Sequence, residues 1–136
     1  MCAKKVIKTG QIAHPFLKHL IDHSLNLSQQ NLTDQDMPEI TRFLLDHPNI
    51  RSLDLSLNHI GDQGLADFTE RNLVIVQVNF EGNNISDKGL AMFAYINHII
   101  TEVNFARNRI SKKGIAAFTA KNAVCYASYF SPYQCH

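Results

Sequence analysis

The sequence predicts an α/β solenoid, a short arc with a concave parallel β-sheet and convex helices, and three observations predict it. The chain has 136 residues, 45% of them hydrophobic, enough to bury one core and too few for two domains. Shifted by 25 positions, it aligns with itself: Leu53, Leu55, Asn58 and Ile60 fall on Val78, Phe80, Asn83 and Ile85, then on Val103, Phe105, Asn108 and Ile110. A period of this length marks a stack of repeated supersecondary units. Within a unit, Leu53-Asp54-Leu55 alternates with the period of a strand, whereas Gly64-Leu65-x-x-Phe68 has the i, i+3 spacing of a helix. Strands stack about 4.8 Å apart and helices about 10 Å, so such an array bends with its sheet inside.

The elements follow in order along a single domain of residues 1–136. Residues 1–21 are expected to form an N-terminal cap, a helix opened by Pro15 and carrying Phe16, Leu17, Leu20 and Ile21. About four repeats occupy 22–122, with strands near 25, 53, 78 and 103 and helices over 34–45, 62–71, 87–96 and 112–121. The first repeat is degenerate, as terminal repeats are: Leu25, Leu27 and Leu32 fit at an offset of 28, with Gln30 in the Asn column and Asp36 in the Gly column. Thr33, Gly61, Ser86 and Ser111 stand where each helix needs its N-cap. Asn58, Asn83 and Asn108 fall where the chain turns inward off the strand. There a side-chain amide can bond backbone groups that the sheet no longer pairs, and stacked repeats make this a ladder. Residues 123–136 are expected to be a C-terminal cap strand (124–130) and tail, rich in tyrosine through Tyr126, Tyr129 and Tyr133.

The pattern L-x-x-L-x-L-x-x-N-x-L is filled by Ile50, Leu53, Leu55, Asn58 and Ile60, and twice more by Ile75 to Ile85 and Ile100 to Ile110. On these residues the chain resembles the leucine-rich-repeat family. The glycine opening each helix (Gly64, Gly89, Gly114) resembles the ribonuclease-inhibitor-like subtype, and a 25-residue period shorter than that subtype's implies shorter helices. Compact chains of this kind also resemble leucine-rich-repeat effectors made by intracellular bacterial pathogens. The resemblance implies a protein-binding module, in the inhibitor sense for the subtype and a host-directed sense for the effectors.

Composition excludes several function classes. With 13 Lys plus Arg against 12 Asp plus Glu, the basic footprint of a nucleic-acid or anionic-membrane binder is missing. Apolar runs such as Leu73 to Val76 are far too short to span a bilayer, and the N-terminus lacks the stretch of a secretory signal. Cys2, Cys125 and Cys135 are odd in number and form no C-x-x-C, which points to a reducing, cytoplasmic compartment, or a host cytosol if the effector resemblance holds. His19 and His23 are spaced i, i+4 but have no third ligand nearby, so they read as helix surface and no metal is expected. Cys125 falls in a buried strand column, the glycines stand singly, and no phosphate-binding loop occurs. No catalytic residue and no cofactor is expected.

What remains is the inner face. The residues between and just after the core positions are Arg51, Asp54 and Leu57, then Gln77, Asn79 and Glu81, then Glu102, Asn104 and Arg107. A uniform scaffold that carries non-repeating side chains on one face is what a recognition surface needs. Leu57 breaks the polar character of its column, and Arg107 is of a type enriched in interface hot spots. About five strands exposing roughly seven residues each give ~550 Å², short of the ~800 Å² per partner of a stable interface. Loops, or the tyrosines at 126, 129 and 133 if they do not merely cap the last repeat, must supply the rest. The expected function is non-enzymatic binding of a folded protein by a chain that is monomeric when free, inhibiting a partner enzyme by covering its active site. The alternative is an adaptor or scaffold that recruits one protein to another.

Overall fold

The structure, a computed structural model, describes residues 14–121. The expected strand at 124–130, all three cysteines, and Tyr126, Tyr129 and Tyr133 lie outside the described residues. The elements are β1 (Leu20–Ile21), β2 (Ser24–Asn26), α1 (Met37–Asp46), β3 (Ser52–Asp54), α2 (Asp62–Arg71), β4 (Gln77–Asn79), α3 (Asp87–Ile96), β5 (Glu102–Asn104) and α4 (Lys112–Lys121). They form one sheet in the order β1-β2-β3-β4-β5. From β2 onward the pairing is parallel, with Leu25, Leu53, Val78 and Val103 in register. The predicted α/β repeat arc is the architecture found, and the helices at 62–71, 87–96 and 112–121 have the predicted bounds.

The core lies between sheet and helices because each repeat places the same columns there. Leu27, Leu55, Phe80 and Phe105 follow the strands inward and meet Leu65, Phe68, Leu90 and Phe93 from the helices, all buried. Aromatic contacts carry the core from unit to unit: Phe68 meets Phe80 edge to face at 5.8 Å, and Phe80 stacks parallel to Phe105 at 5.9 Å.

At the N-terminal end the structure differs from the predicted helix. Pro15–His19 is a 3₁₀ turn, and the chain leaves it as β1, antiparallel to β2. Two local causes are visible. His14 Nδ1 accepts the Phe16 N–H, capping a tight turn, and Asp22 takes a left-handed φ of 55° that reverses the chain. His19 and His23 therefore share no helix face, and His23 Nδ1 instead lies 2.9 Å from the Asn49 carbonyl oxygen. His14 packs on Phe16 and Phe43 and pairs with Glu39 at 3.1 Å, closing this end of the core.

Polar ladders tie the repeats together. Asn58 Nδ2 donates to the Leu27, Leu55 and Ser56 carbonyls while its Oδ1 accepts from Gln30 and Leu32. Asn83 and Asn108 repeat the donor half of the pattern and each accept one amide, from Ile60 and Ile85. A second set, Asn72 and Asn97, braces each turn from helix to strand by accepting two amides and donating to the Ile75 and Ile100 carbonyls.

A third ladder is made of aspartates. Asp34 accepts the Gly61 N–H at 2.6 Å, Asp62 accepts from Ser86 N and Oγ at 2.8 and 2.5 Å, and Asp87 does the same for Ser111 at 2.7 and 2.6 Å. Each carboxylate thus holds the cap residue of the next helix. The hydroxyl and amide of Ser111, aided by Lys113, hold the Asp87 carboxyl below its ordinary value near 3.8. A depressed carboxylate stabilises the fold above its unfolded-state pKa, and that contribution disappears as pH falls through the folded value. Wild type should therefore melt above Asp87→Ala at neutral pH, and the gap should close as the pH is lowered below about 3.8. Melting curves of both proteins from pH 7 to pH 2 check this, and a gap that persists at the acid end counts against the assignment.

Candidate functional site

Regular pairing covers three residues in each of β2 to β5, fewer than the seven expected of each strand. The inner sheet is therefore a narrow strip, and the loops after the strands carry much of the inner surface. Its centre is an open trough of ≈ 320 Å³ lined by β3, β4 and β5, with Ser52, Asp54, Gln77, Asn79, Glu102 and Asn104 as its polar side chains. Leu53, Val78 and Val103 turn into the core and offer only backbone to the trough.

Of the predicted inner residues, Asp54, Gln77, Asn79, Glu102 and Asn104 meet in this trough. Part of their bonding capacity is already used. Asp54 Oδ1 accepts from Ser56 N and Oγ, and Asn79 and Asn104 accept from Glu81 N and Ala106 N, so each closes its own turn two residues on. Gln77 Nε2 donates to Glu102 Oε1 across neighbouring strands. The lining offers two carboxylates, three amides that both donate and accept, and one hydroxyl, with neither imidazole nor ammonium.

Arg51 stands apart, exposed where the chain enters β3. Glu81, Leu57 and Arg107 gather at the opposite rim, where the strands end. Glu81 accepts weakly from Asn104 Nδ2 at 3.4 Å and pairs with Arg107 at 3.7 Å. With the Arg107 side chain 72% exposed, the pair adds at most about 1 kcal/mol to stability.

The backbone of this rim follows a rule that the sequence hides. Gln29, Leu57, Gly82 and Arg107 occupy equivalent places, and all have φ between 54° and 71°. The left-handed region suits Gly or Asn and strains a larger residue. Only Gly82 relieves that strain, and it does more: a Cβ there would lie 2.6 Å from Leu57 Cδ2, so Leu57 leans across it while staying 43% exposed. The rim thus presents an apolar knob and a guanidinium on either side of a glycine.

Sequence reading missed Ser24 and Asn26 of β2, which pair in register with Ser52 and Asp54 and extend the inner face. The offset of 28 that aligns the first repeat already held that signal. Tyr126, Tyr129 and Tyr133 lie outside the described residues. Among the described residues there is no group of three metal-ligating side chains and no helix long and apolar enough to cross a membrane.

Comparison with known proteins agrees with this geometry. A family model described as Leucine Rich repeat matches residues 46–68 and 71–94. No curated protein matches the chain in sequence. Among solved structures, Leiomodin-1 Actin-Binding Site 2 (ABS2) is similar with a TM-score of 0.59 and 17% identity, over 73% of this chain and 62% of that one. At such identity the likeness concerns the fold alone.

Proposed function

We propose that this protein, a solenoid of leucine-rich repeats, is a non-enzymatic module that seats a folded protein on its concave face and grips it at the rim of Leu57 and Arg107. The observation that carries the reading is the conformation of that rim. Two bulky side chains are held at positive φ, at 55° and 58°, where Gly or Asn would cost the fold less. Strain kept at an exposed position is a mark of function, and Leu and Arg side chains can anchor an interface core. The leiomodin structure is named as an actin-binding site, which supports a protein partner for a scaffold of this shape. In its inhibitory form the module is a free monomer that covers the active site of a partner enzyme. Its cysteine usage supports a reducing, cytoplasmic setting. An adaptor role is favoured by one observation, the outward Met92 and Tyr95 on α3, 44% and 77% exposed, because an adaptor needs a second face.

The test begins with capture of a partner from the native source and calorimetry on the pair. Leu57→Asp and Arg107→Glu should each weaken binding at least tenfold, about 1.4 kcal/mol, while the melting temperature stays near wild type. Leu57→Gly should bind equally poorly yet be stable to within about 1 kcal/mol of wild type, since it relieves the left-handed strain. Lys88→Glu, on the convex α3, should bind as wild type. A loss of affinity on Lys88→Glu alone would place the site on the helices.

A further inference from the structure

The turn that carries the chain from β5 into α4 concentrates charge that the equivalent turns lack. Arg107, Arg109, Lys112 and Lys113 lie within seven residues, and all four are exposed. The places of Arg107 and Arg109 are held by Leu57 and His59 one turn earlier in the array, and by Gly82 and Asn84 in the turn between, while the place of Lys112 is held by Asp34, Asp62 and Asp87. The fold does not call for these cations. A first-turn lysine opposes the positive end of the helix macrodipole, and α4 has no acidic residue in its first turn, where α2 has Asp62 and α3 has Asp87. Lys112 also stands where an aspartate holds the next cap in the earlier repeats. The neighbouring acids are already engaged: both Asp87 oxygens accept from Ser111, and Glu81 is divided between Asn104 and Arg107. Arg109 Nη1 donates to Asn84 Oδ1 at 3.0 Å, so its guanidinium reaches the preceding turn.

We propose that this basic edge docks an acidic, carboxylate-bearing segment of the folded protein seated on the concave face, an inference that rests on that reading of the inner face. Continuity argues for a protein. Arg107 belongs both to this edge and to the left-handed rim that it shares with Leu57 and Gly82, so a partner gripped at the rim reaches the edge within the same interface. Two guanidinium groups there can each take a carboxylate through paired hydrogen bonds, and the lysines add point charges beside them. Charge argues against a polyanion. Asp54 and Glu102 line the adjoining trough, and Glu81 and Asp87 flank the cations. A nucleic-acid strand or an anionic bilayer lying on the edge would carry further negative groups onto these carboxylates, whereas a segment with a few carboxylates ends before them. The same contrast fixes direction: the partner's acidic segment meets residues 107–113, because turned the other way it would face Asp54 and Glu102.

The experiment has two arms, both on the full chain. In the first, NMR titration with a hexaglutamate peptide should shift the amides of residues 107–114 saturably, and Lys112→Asp should reduce those shifts. A single-stranded oligonucleotide and phosphatidylserine vesicles, at equal charge and about 0.15 M salt, should bind more weakly than the peptide. Tighter binding of either polyanion overturns the acidic-segment occupant, and so does a peptide that shifts the amides of α1 and α2 as strongly. In the second arm, Lys112→Asp and Arg109→Glu should each weaken the captured partner about fivefold or more, chiefly by slowing association. Lys112→Asp should melt at or above wild type, since it restores an acidic first turn. Lys88→Glu, one repeat back in the column of Lys113, should change neither property. If Leu57→Asp weakens the partner while Lys112→Asp and Arg109→Glu bind as wild type, the basic edge is overturned and the concave reading stands. If the two edge variants weaken it while Leu57→Asp does not, the concave reading fails and the edge stands alone.

Discussion

Gly89→Ala is expected to destabilise the protein by about 2–4 kcal/mol, although in a free helix the same change stabilises by about 1 kcal/mol. Gly89 is buried in the first turn of α3. A Cβ there would lie against Asp62 Oδ1, 2.7 Å from Cγ and 3.2 Å from Cα. The aspartate side chain is too short to swing clear. Its carboxylate is also fixed on Ser86, whose amide and hydroxyl it accepts at 2.8 and 2.5 Å. Either α2 and α3 separate, losing part of the Phe68 and Phe93 packing, or the carboxylate releases the cap of α3. Urea unfolding of Gly89→Ala, Asp62→Ala and the double variant decides between these. If the carboxylate is the obstacle, the double variant should be no less stable than Asp62→Ala, a coupling of more than about 1 kcal/mol. A Gly89→Ala protein more stable than wild type would show that the two helices lie farther apart than this contact requires.

That contact explains what the sequence revealed and what it hid. Self-alignment at 25 residues finds positions that do the same job in successive repeats, so it located the strands, three helices, the core columns and the asparagine ladder. It is blind to partnerships between different columns. Asp62 with Ser86 is 24 residues apart and Asp62 with Gly89 is 27, so the aspartates read as ordinary first-turn acids and the glycines as helix openers without a reason. The N-terminal turn was hidden differently. Phe16, Leu17, Leu20 and Ile21 have helical spacing, but pairing of Leu20 with Leu25 and Ile21 with Ser24 outweighs a short helix.

At the inner face, alternation along the strand correctly separated outward residues from core residues, because period two is a property of the backbone. Two things lay beyond it. Asp54, Asn79 and Asn104 look like free polar groups in sequence, yet each turns an oxygen onto its own loop. The left-handed rim leaves one glycine among Gln29, Leu57, Gly82 and Arg107, so the usual compositional sign of positive φ is absent. Leu57 and Arg107 were singled out for their chemistry, and the structure adds the strain.

Asn58→Ala is the second large effect expected, a loss of about 2–4 kcal/mol and roughly 10 °C in melting temperature for a chain of this size. The side chain is 4% exposed, and it accepts at 3.0 and 2.9 Å from Gln30 and Leu32 while donating to three carbonyls. Its removal leaves the Leu32 N–H and the Leu27 carbonyl short of partners away from water, at about 1–3 kcal/mol for each group not re-satisfied, while the Leu55 carbonyl still accepts from Asn83 Nδ2 at 2.9 Å. Asn83 and Asn108 should cost less, because each accepts a single amide and is only half-buried. The difference arises at the first repeat, whose column holds Gln30. That side chain is exposed and bonds only its own turn, at the Ser28 carbonyl, and the Asn58 oxygen takes up the Gln30 amide as well as that of Leu32, where Asn83 and Asn108 each take up one. Asn79→Ala removes one acceptor for the Glu81 amide and should cost about 1 kcal/mol. Thermal melts of the four alanine variants should rank Asn58 first, Asn83 and Asn108 together, and Asn79 last. If Asn79→Ala were the damaging change, the ladder would not be what holds the repeats in register.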